Sequence, residues 1–333
     1  MVRLPNDKYT PPYTLTDEII NLIAEISELV GAVTVKSSME SSPRLRRENR
    51  IRTIHASLAI ENNTLSLDNV TDIINGKRVL GAPGEIREVK NTYEAYNLLL
   101  GYDPYSINDM LKAHKVLMTD LTKEAGCFRS GGVGVFAGEQ LVHMAPPAEL
   151  VPKLTAELMS WAKQEKVHPL IKSCVFHYEF EFIHPFADGN GRMGRMWQTL
   201  LLYQWKQLFA WLPVETIIKE RQQEYYDVLA AADRNSDSGV FIAFLLRAIF
   251  DTLKELEETE QGRVQVTEQV EKLMTVLRDG EWSGKELMIH LGLKHRPTFL
   301  KNYLQPAIAL GLVEMTFPET PNSKKQKYRL VKK

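Results

Sequence analysis

Cysteine is nearly absent. The 333 residues hold Cys127 and Cys174 and no CxxC pair. That usage excludes a disulfide framework and a cysteine-rich zinc site, and it fits a reducing cytosol. No apolar run approaches the ~20 residues of a membrane span. The N-terminal MVRLPNDKYTPPYTLTDE lacks the apolar stretch of a signal peptide. A charge excess is missing too. The net charge of −1 gives no global field toward nucleic acid or an acidic membrane. No fixed-period repeat or long low-complexity tract is present. The remaining expectation is a cytoplasmic globular protein without membrane contact. Its 44% hydrophobic and 25% charged residues suit a sizeable core, and its length suits two or three units.

The near-zero charge hides an asymmetry. Residues 262–333 carry 13 Lys and Arg against 7 Asp and Glu, while the remainder has a net charge of −7. The sign change predicts a separate C-terminal module. Most of the chain reads as helix. Thr16 is placed to cap a first helix whose first turn holds Asp17 and Glu18. A second helix is expected from about Arg44 to Ile60, a third from Ser66 to Gly76, and a fourth from Glu85 to Gly101. Ser106 is placed to cap the next. Residues 126–147, GCFRSGGVGVFAGEQLVHMAPP, read as a β-hairpin turning at Ala137-Gly138-Glu139 and ended by Pro146-Pro147. Two long helical patterns follow, divided near His168-Pro169. From about Val264, three helical stretches precede strand, polar turn and strand, the order of a winged helix-turn-helix. The predicted class is mainly α, with divisions at 1–100, 101–258 and 262–333.

The chemistry concentrates in HPFADGNGRMGR, residues 184–195. GNGRMG matches a dinucleotide fingerprint letter for letter, but no βαβ alternation surrounds it. CVFHYEFEF before it has strand propensity of its own. His177, His184 and Asp188 are metal-ligand types, yet their spacing fits no common zinc pattern. A third reading uses every residue. The apolar MWQTLLLYQWKQL makes the glycine loop the N-terminus of a buried helix, where unpaired N–H groups and the dipole favour phosphate. Gly189 and Gly191 allow close backbone approach. Arg192 and Arg195 share the first turn and can clamp anionic oxygens. Asp188 is a hard ligand suited to Mg²⁺. His184 is suited to accept a hydroxyl proton. These roles describe nucleotide phosphoryl-group chemistry.

These residues resemble the Fic family signature H-x-F-x-[D/E]-G-N-G-R-x-x-R without a mismatch. Similarity runs over about residues 10–255 and includes Gly126-Cys127-Phe128-Arg129. The resemblance implies a Fic-fold helical bundle with a short β-hairpin flap, and transfer of AMP from ATP to a protein hydroxyl. His184 would be the base, Phe186 the anchor of the loop, and Asp188 the Mg²⁺ ligand. Asn190 with the Gly189 and Gly191 backbone would form an anion hole. Arg192, Met193, Gly194 and Arg195 complete the nucleotide-binding turn. The flap, Gln140 to Met144, would align the target segment as an added strand, with Val142, His143 and Met144 at the site. Tyr225, Tyr226 and Asp233 would complete the pocket for base and ribose, although paired helix aromatics more often belong to a core. His114 and His143 are more often structural than catalytic.

SLAIENN, Ser57 to Asn63, resembles the family's inhibitory motif [S/T]-x-x-x-E-[G/N], matched by Ser57, Glu61 and Asn62. Its place before the core is the class II arrangement. The resemblance implies a two-pronged pair between Glu61 and Arg195 that removes the arginine from its phosphate role. In some relatives the same glutamate supports removal of AMP. Family members also commonly form dimers. In the tail, Lys294, His295, Arg296, Lys301 and KKQKYRLVKK suit phosphate contact, and Asn302 is a weak base-reading candidate. The alternatives are transfer or removal of another nucleotide group within the family, and, outside enzymes, a nucleotide-sensing DNA-binding regulator.

Overall fold

The computed structural model describes residues 9–36, 42–137, 140–264, 268–278, 280–320, 323 and 325–331. Contacts divide the chain into two compact units, Met1–Glu257 and Glu258–Lys333. The fold is mainly helical, as the periodicity predicts. No helix among the described residues is long and apolar enough to cross a membrane.

In the first unit, helix α1 spans Asp17–Lys36, and Ile19 donates its N–H to Thr16 Oγ1 at 3.3 Å. Helix α2 (Pro43–Ile60) starts at Ser42, whose side chain accepts from Leu45 N. Helices α3 (Leu67–Ile74), α4 (Pro83–Leu98) and α5 (Ile107–Met118) follow. Ser66 and Ser106 each accept the N–H three residues on, the expected capping bond. Pro12 O accepts from both the backbone N–H and the hydroxyl of Ser238, tying the N-terminal segment to the end of the unit.

The hairpin is shorter than the sequence suggests. Strands β1 (Gly134–Ala137) and β2 (Gln140–Met144) pair antiparallel, with a register shift between Val135 and Phe136. The turn at Gly138-Glu139 lies outside the described residues. Residues 126–133 hold no strand; within them Arg129 bonds Gly131 O and reaches out to His184 O, Pro146 O and Ile183 O.

Helix α6 (Val151–Gln164) leads to α7 (Pro169–Ile183), then α8 (Asn190–Trp205). CVFHYEFEF lies within α7 despite its strand propensity. Cys174 through Phe180 are all buried, so packing on every side outweighs local preference. Helices α9 (Val214–Glu220), α10 (Gln222–Asn235) and α11 (Gly239–Val264) complete the unit. Its core joins Phe176, Phe180, Phe186, Trp197, Phe241 and Phe244.

The second unit holds α12 (Glu268–Leu277), β3 (Trp282–Ser283), α13 (Gly284–His290), α14 (Arg296–Phe299), a π turn (Leu300–Leu304) and α15 (Gln305–Ala309). Strands β4 (Val313–Met315) and β5 (Lys327–Leu330) close it in an antiparallel sheet of order β3-β5-β4. The helices and the final strand pair follow the predicted order, but the short strand β3 between α12 and α13 is not among the expected elements; it is only two residues long, too short to show a period-2 pattern. Val270, Leu273, Leu287, Phe299 and Leu304 form its own core. A full capping box at Ser283 and Glu286 starts α13.

Candidate functional site

The site forms where α7 ends and α8 begins. Ile183 closes α7, and His184 takes the left-handed cap conformation, φ 49, with its N–H bonded to Phe180 O at 2.9 Å. This turn brings the imidazole back over the helix end. Nδ1 meets the Glu181 main-chain carbonyl at 3.3 Å. A carbonyl only accepts, so Nδ1 carries the hydrogen and Nε2 is the ring nitrogen with the lone pair.

Phe186 is fully buried and stacks on His114 with ring centroids 3.6 Å apart. Gly126 N donates to His114 Nδ1 at 2.9 Å, so Nε2 carries the hydrogen toward Asp188 O at 3.0 Å. Burial holds the His114 imidazole down to about 4, against a bond to Asp188 O that favours protonation. His114 is therefore a neutral bridge between two loops. Arg129 is a second bridge. Nε donates to His184 O, Nη1 to Gly131 O, and Nη2 to Pro146 O and Ile183 O. One guanidinium thus fastens both ends of the hairpin segment to the loop.

Gly189 caps α8 with φ 84, a conformation that L side chains rarely adopt. Asn190 clasps the loop from both sides. Its Oδ1 accepts from Phe186 N at 2.9 Å and its Nδ2 donates to Phe186 O at 2.8 Å. The Asn190 amide is thus committed to loop shape, and the anion seat is left to backbone N–H groups. Asp188 Oδ1 accepts from Gly189 N and Arg192 Nη2, while its side chain remains 60% exposed. Arg192 is buried, and Glu88 Oε1 lies 3.1 Å from its Nη1. Glu88 in turn accepts from Asn63 Nδ2 at 2.8 Å.

Arg195 is buried against α2. Its Nε donates to Ser57 Oγ at 3.1 Å, and its Nη2 to Ser57 O at 3.0 Å and Glu61 Oε1 at 2.7 Å. The expected two-pronged fork is corrected to a contact through Nη2, because Ser57 occupies Nε and shares Nη2. Burial alone raises the Glu61 carboxyl, but Arg195, with Arg192 and His184 adding, leaves it below the ordinary range. Glu61 Oε1 fills the space a Gly191 side chain would take; a Cβ there collides with it. Asn62 follows at φ 66, which explains why the motif takes Gly or Asn at this position.

Tyr225 is a core residue, with its hydroxyl 3.2 Å from His177 Nε2 and its ring beside Phe241 and Phe244. Tyr226 is half-buried and donates to Ile60 O at 3.4 Å. Asp233 is half-buried on α10. Met144 is exposed, and the side chains of Val142 and His143 lie outside the described residues. His177 is fully buried, bonded to Gln198 at 2.7 Å, and held down by burial to about 3. No group of three or more metal-ligand side chains exists among the described residues. The one exposed loop carboxylate, Asp188, suits a cation that takes its other ligands from water and phosphate, as Mg²⁺ does.

Sequence reading missed Glu88, Glu181 and Asn63. Glu88 and Asn63 meet partners distant in the chain, which no local spacing announces. Glu181 faces His177 and His184, four residues before and three after it on its own helix, a spacing that could have found it.

Comparison with known proteins places two family models on this chain. The Fic/DOC family model matches residues 104–202, and the model of the Fic-like protein C-terminal domain matches residues 268–331. The crystal structure of a Fic family protein from Desulfovibrio desulfuricans G20 is 56% identical. It aligns with TM-score 0.75 over 98% of this chain and 99% of that one. A protein adenylyltransferase Fic of Nematostella vectensis is 30% identical over 63% of this chain and 49% of its own length. One from Culex quinquefasciatus is 28% identical over 61% of this chain and 40% of its own. The chain thus spans half or less of these curated relatives.

Proposed function

The chain belongs to the Fic family, and from that premise we propose that it transfers AMP from ATP to a serine, threonine or tyrosine hydroxyl of a target protein. One observation carries the reading. The N-terminus of α8 is built to seat an anion, and the Glu61 carboxylate now sits there against Gly191 and Arg195. The names of the adenylyltransferase relatives support the same chemistry.

His184 Nε2 takes the hydroxyl proton. The hydroxyl oxygen bonds to the α-phosphorus while the bond to pyrophosphate breaks. Backbone N–H groups at Asn190 and Gly191 hold phosphate oxygens, and Arg192 and Arg195 offset their charge. Asp188 would hold Mg²⁺, which would supply positive charge against the phosphate oxygens. Positioning by the Asn190 clasp and the Arg129 and His114 bridges contributes by keeping these groups aligned. Residues 140–144 present a strand edge to the target segment, as the flap resemblance implies.

Glu61 competes with the nucleotide for Arg195, so the protein as folded is autoinhibited. The test is incubation with α-labelled ATP and Mg²⁺. Label should reach protein with Glu61→Gly and vanish in Glu61→Gly/His184→Ala. Absence of label with ATP binding intact would refute transfer from this donor.

A second reading concerns the C-terminal unit. Lys294, His295, Arg296 and Lys301 are all exposed around α14, a disposition that supports DNA phosphate contact. Mobility shifts that persist equally without residues 262–333 would refute it. Light scattering of the full chain tests the dimer implied by the family.

A further inference from the structure

Glu181 lies in the last turn of α7, three residues before His184, with its side chain 12% exposed. Its Oε2 is 3.9 Å from His184 Nδ1, and its Oε1 is 3.8 Å from His177 Nε2. Oε1 has no hydrogen-bond partner among the described residues. A buried polar atom left without a partner lowers stability, so packing gives no reason for an acid at this place.

A second observation lies across the helix pair. A Cβ on Gly194 would approach within 2.7 Å of Glu181 Oε1 and 3.1 Å of His177 Cδ2. Glycine inside a helix is less favourable than alanine. The signature tolerates any residue at this position, so the motif does not require the glycine. It leaves the room that the carboxyl fills. Two locally unfavourable residues therefore make one feature, an acid held beneath the base.

We propose that Glu181 is a positioning residue for the transfer: its carboxyl, seated over Gly194, stabilises the imidazolium that His184 becomes on accepting the hydroxyl proton. This rests on the adenylyltransferase reading. The O–H bond of the target breaks and the Nε2–H bond forms. Nδ1 keeps its hydrogen, and the new positive charge faces the carboxylate.

The groups that face Glu181 tie it to inhibition. His177 and His184 come from its own helix, Arg195 from α8, Glu61 from α2 and Tyr225 from α10. Burial pushes the Glu181 carboxyl up to about 8, Arg195 opposes this, and Glu61 adds to it. His177 is neutral and offers no compensating charge. Two acids thus share one guanidinium. Withdrawal of Glu61 removes the competing negative charge and favours the ionised form of Glu181. The event that opens the nucleotide seat also charges the carboxyl beside the base.

The experiment uses the full chain in the Glu61→Gly background. The His184 imidazole is titrated by NMR over about pH 6 to 9, the range around its ordinary value. Transfer of labelled AMP is measured on the same preparations. Adding Glu181→Gln, which keeps volume and removes the charge, should move the His184 titration to lower pH. It should also reduce transfer on the alkaline side about ten- to a hundredfold. Glu181→Asp should recover part of both. Gly194→Ala, which displaces the carboxyl without removing it, should act in the same direction and more weakly. An unmoved titration, or an unmoved rate and pH profile, overturns the proposal. If Glu61→Gly transfers no label at all, the adenylyltransferase reading fails, and the titration alone decides whether Glu181 acts on His184.

Discussion

Glu61 and Arg195 are 134 positions apart in the chain and meet at 2.7 Å. The contact joins the end of α2 to the second turn of α8. It puts an internal carboxylate where the helix N-terminus and a buried guanidinium both favour an anion. Ser57, one turn earlier on α2, accepts from the same guanidinium. The Ser57–Glu61 stretch therefore holds Arg195 by two residues. It also reaches Arg192 indirectly, through Asn63 and Glu88.

The two grips should differ in strength. Glu61→Gly should raise the rate of AMP transfer at least about tenfold, because a charge-assisted bond contributes about 1.5–3 kcal/mol. Ser57→Ala removes the acceptor of Nε and leaves the carboxylate, so it should derepress by a smaller factor. Initial rates with α-labelled ATP compare them. Equal rates for wild type and Glu61→Gly would refute autoinhibition.

Asn62 supplies a third expectation. At φ 66 it occupies the left-handed region, where an alanine costs about 1–2 kcal/mol. Asn62→Ala should lower stability by about 1 kcal/mol, whereas Asn62→Gly should leave it nearly unchanged. Urea unfolding of both variants measures this. An alanine variant as stable as the glycine one would contradict the backbone argument.

The buried groups give stability a pH signature. Glu181 titrates near 8 in the folded chain against an ordinary 4.5. A raised value means the fold favours the protonated acid, so this contribution is complete below about 4.5 and is lost as pH rises through about 8. Glu181→Gln cannot ionise. It should melt higher than wild type near pH 9 and close to it near pH 5, measured by thermal unfolding. His177 has the opposite sign. Its folded value of about 3 lies below the ordinary 6.5, so its contribution is present above 6.5 and is lost as pH falls toward 3.

The C-terminal unit has a core of its own, in which Phe299 is 1% exposed. Phe299→Ala should destabilise that unit by about 3–5 kcal/mol. AMP transfer by the full chain in the Glu61→Gly background should not change. Calorimetry should show one lowered transition beside an unmoved one. A uniform shift of all unfolding would deny the second unit its independence.

What the sequence made legible was what interacts over short range. Ser66 and Ser106 cap helices through bonds to the residue three positions on, so their role is written locally. The loop from His184 to Arg195 is contiguous, and its shape follows from its own glycines and asparagine. The strand propensity of CVFHYEFEF misleads because burial on every side of α7 is a property of the whole bundle. Glu88 meets Arg192 across 104 positions, and no spacing rule reaches that far. Tyr225 reads equally as pocket wall or core until Phe241 and Phe244 are seen around it. The bonds from Arg129 to Pro146 O and Ile183 O tie the hairpin segment to the loop, which the run of glycines does not reveal.

The Asn190 amide, bonded at both ends to the backbone of Phe186, has a further consequence. The loop keeps its form by its own internal bonds, whichever anion rests on it. Under the proposed autoinhibition, control is then a matter of occupancy and not of shape. Switching on requires one side chain of α2 to swing aside, a motion of rotamer scale that needs no refolding. The rate of activation should therefore follow how often Glu61 vacates its seat, and any partner that holds it away would act as an agonist without touching the reacting atoms.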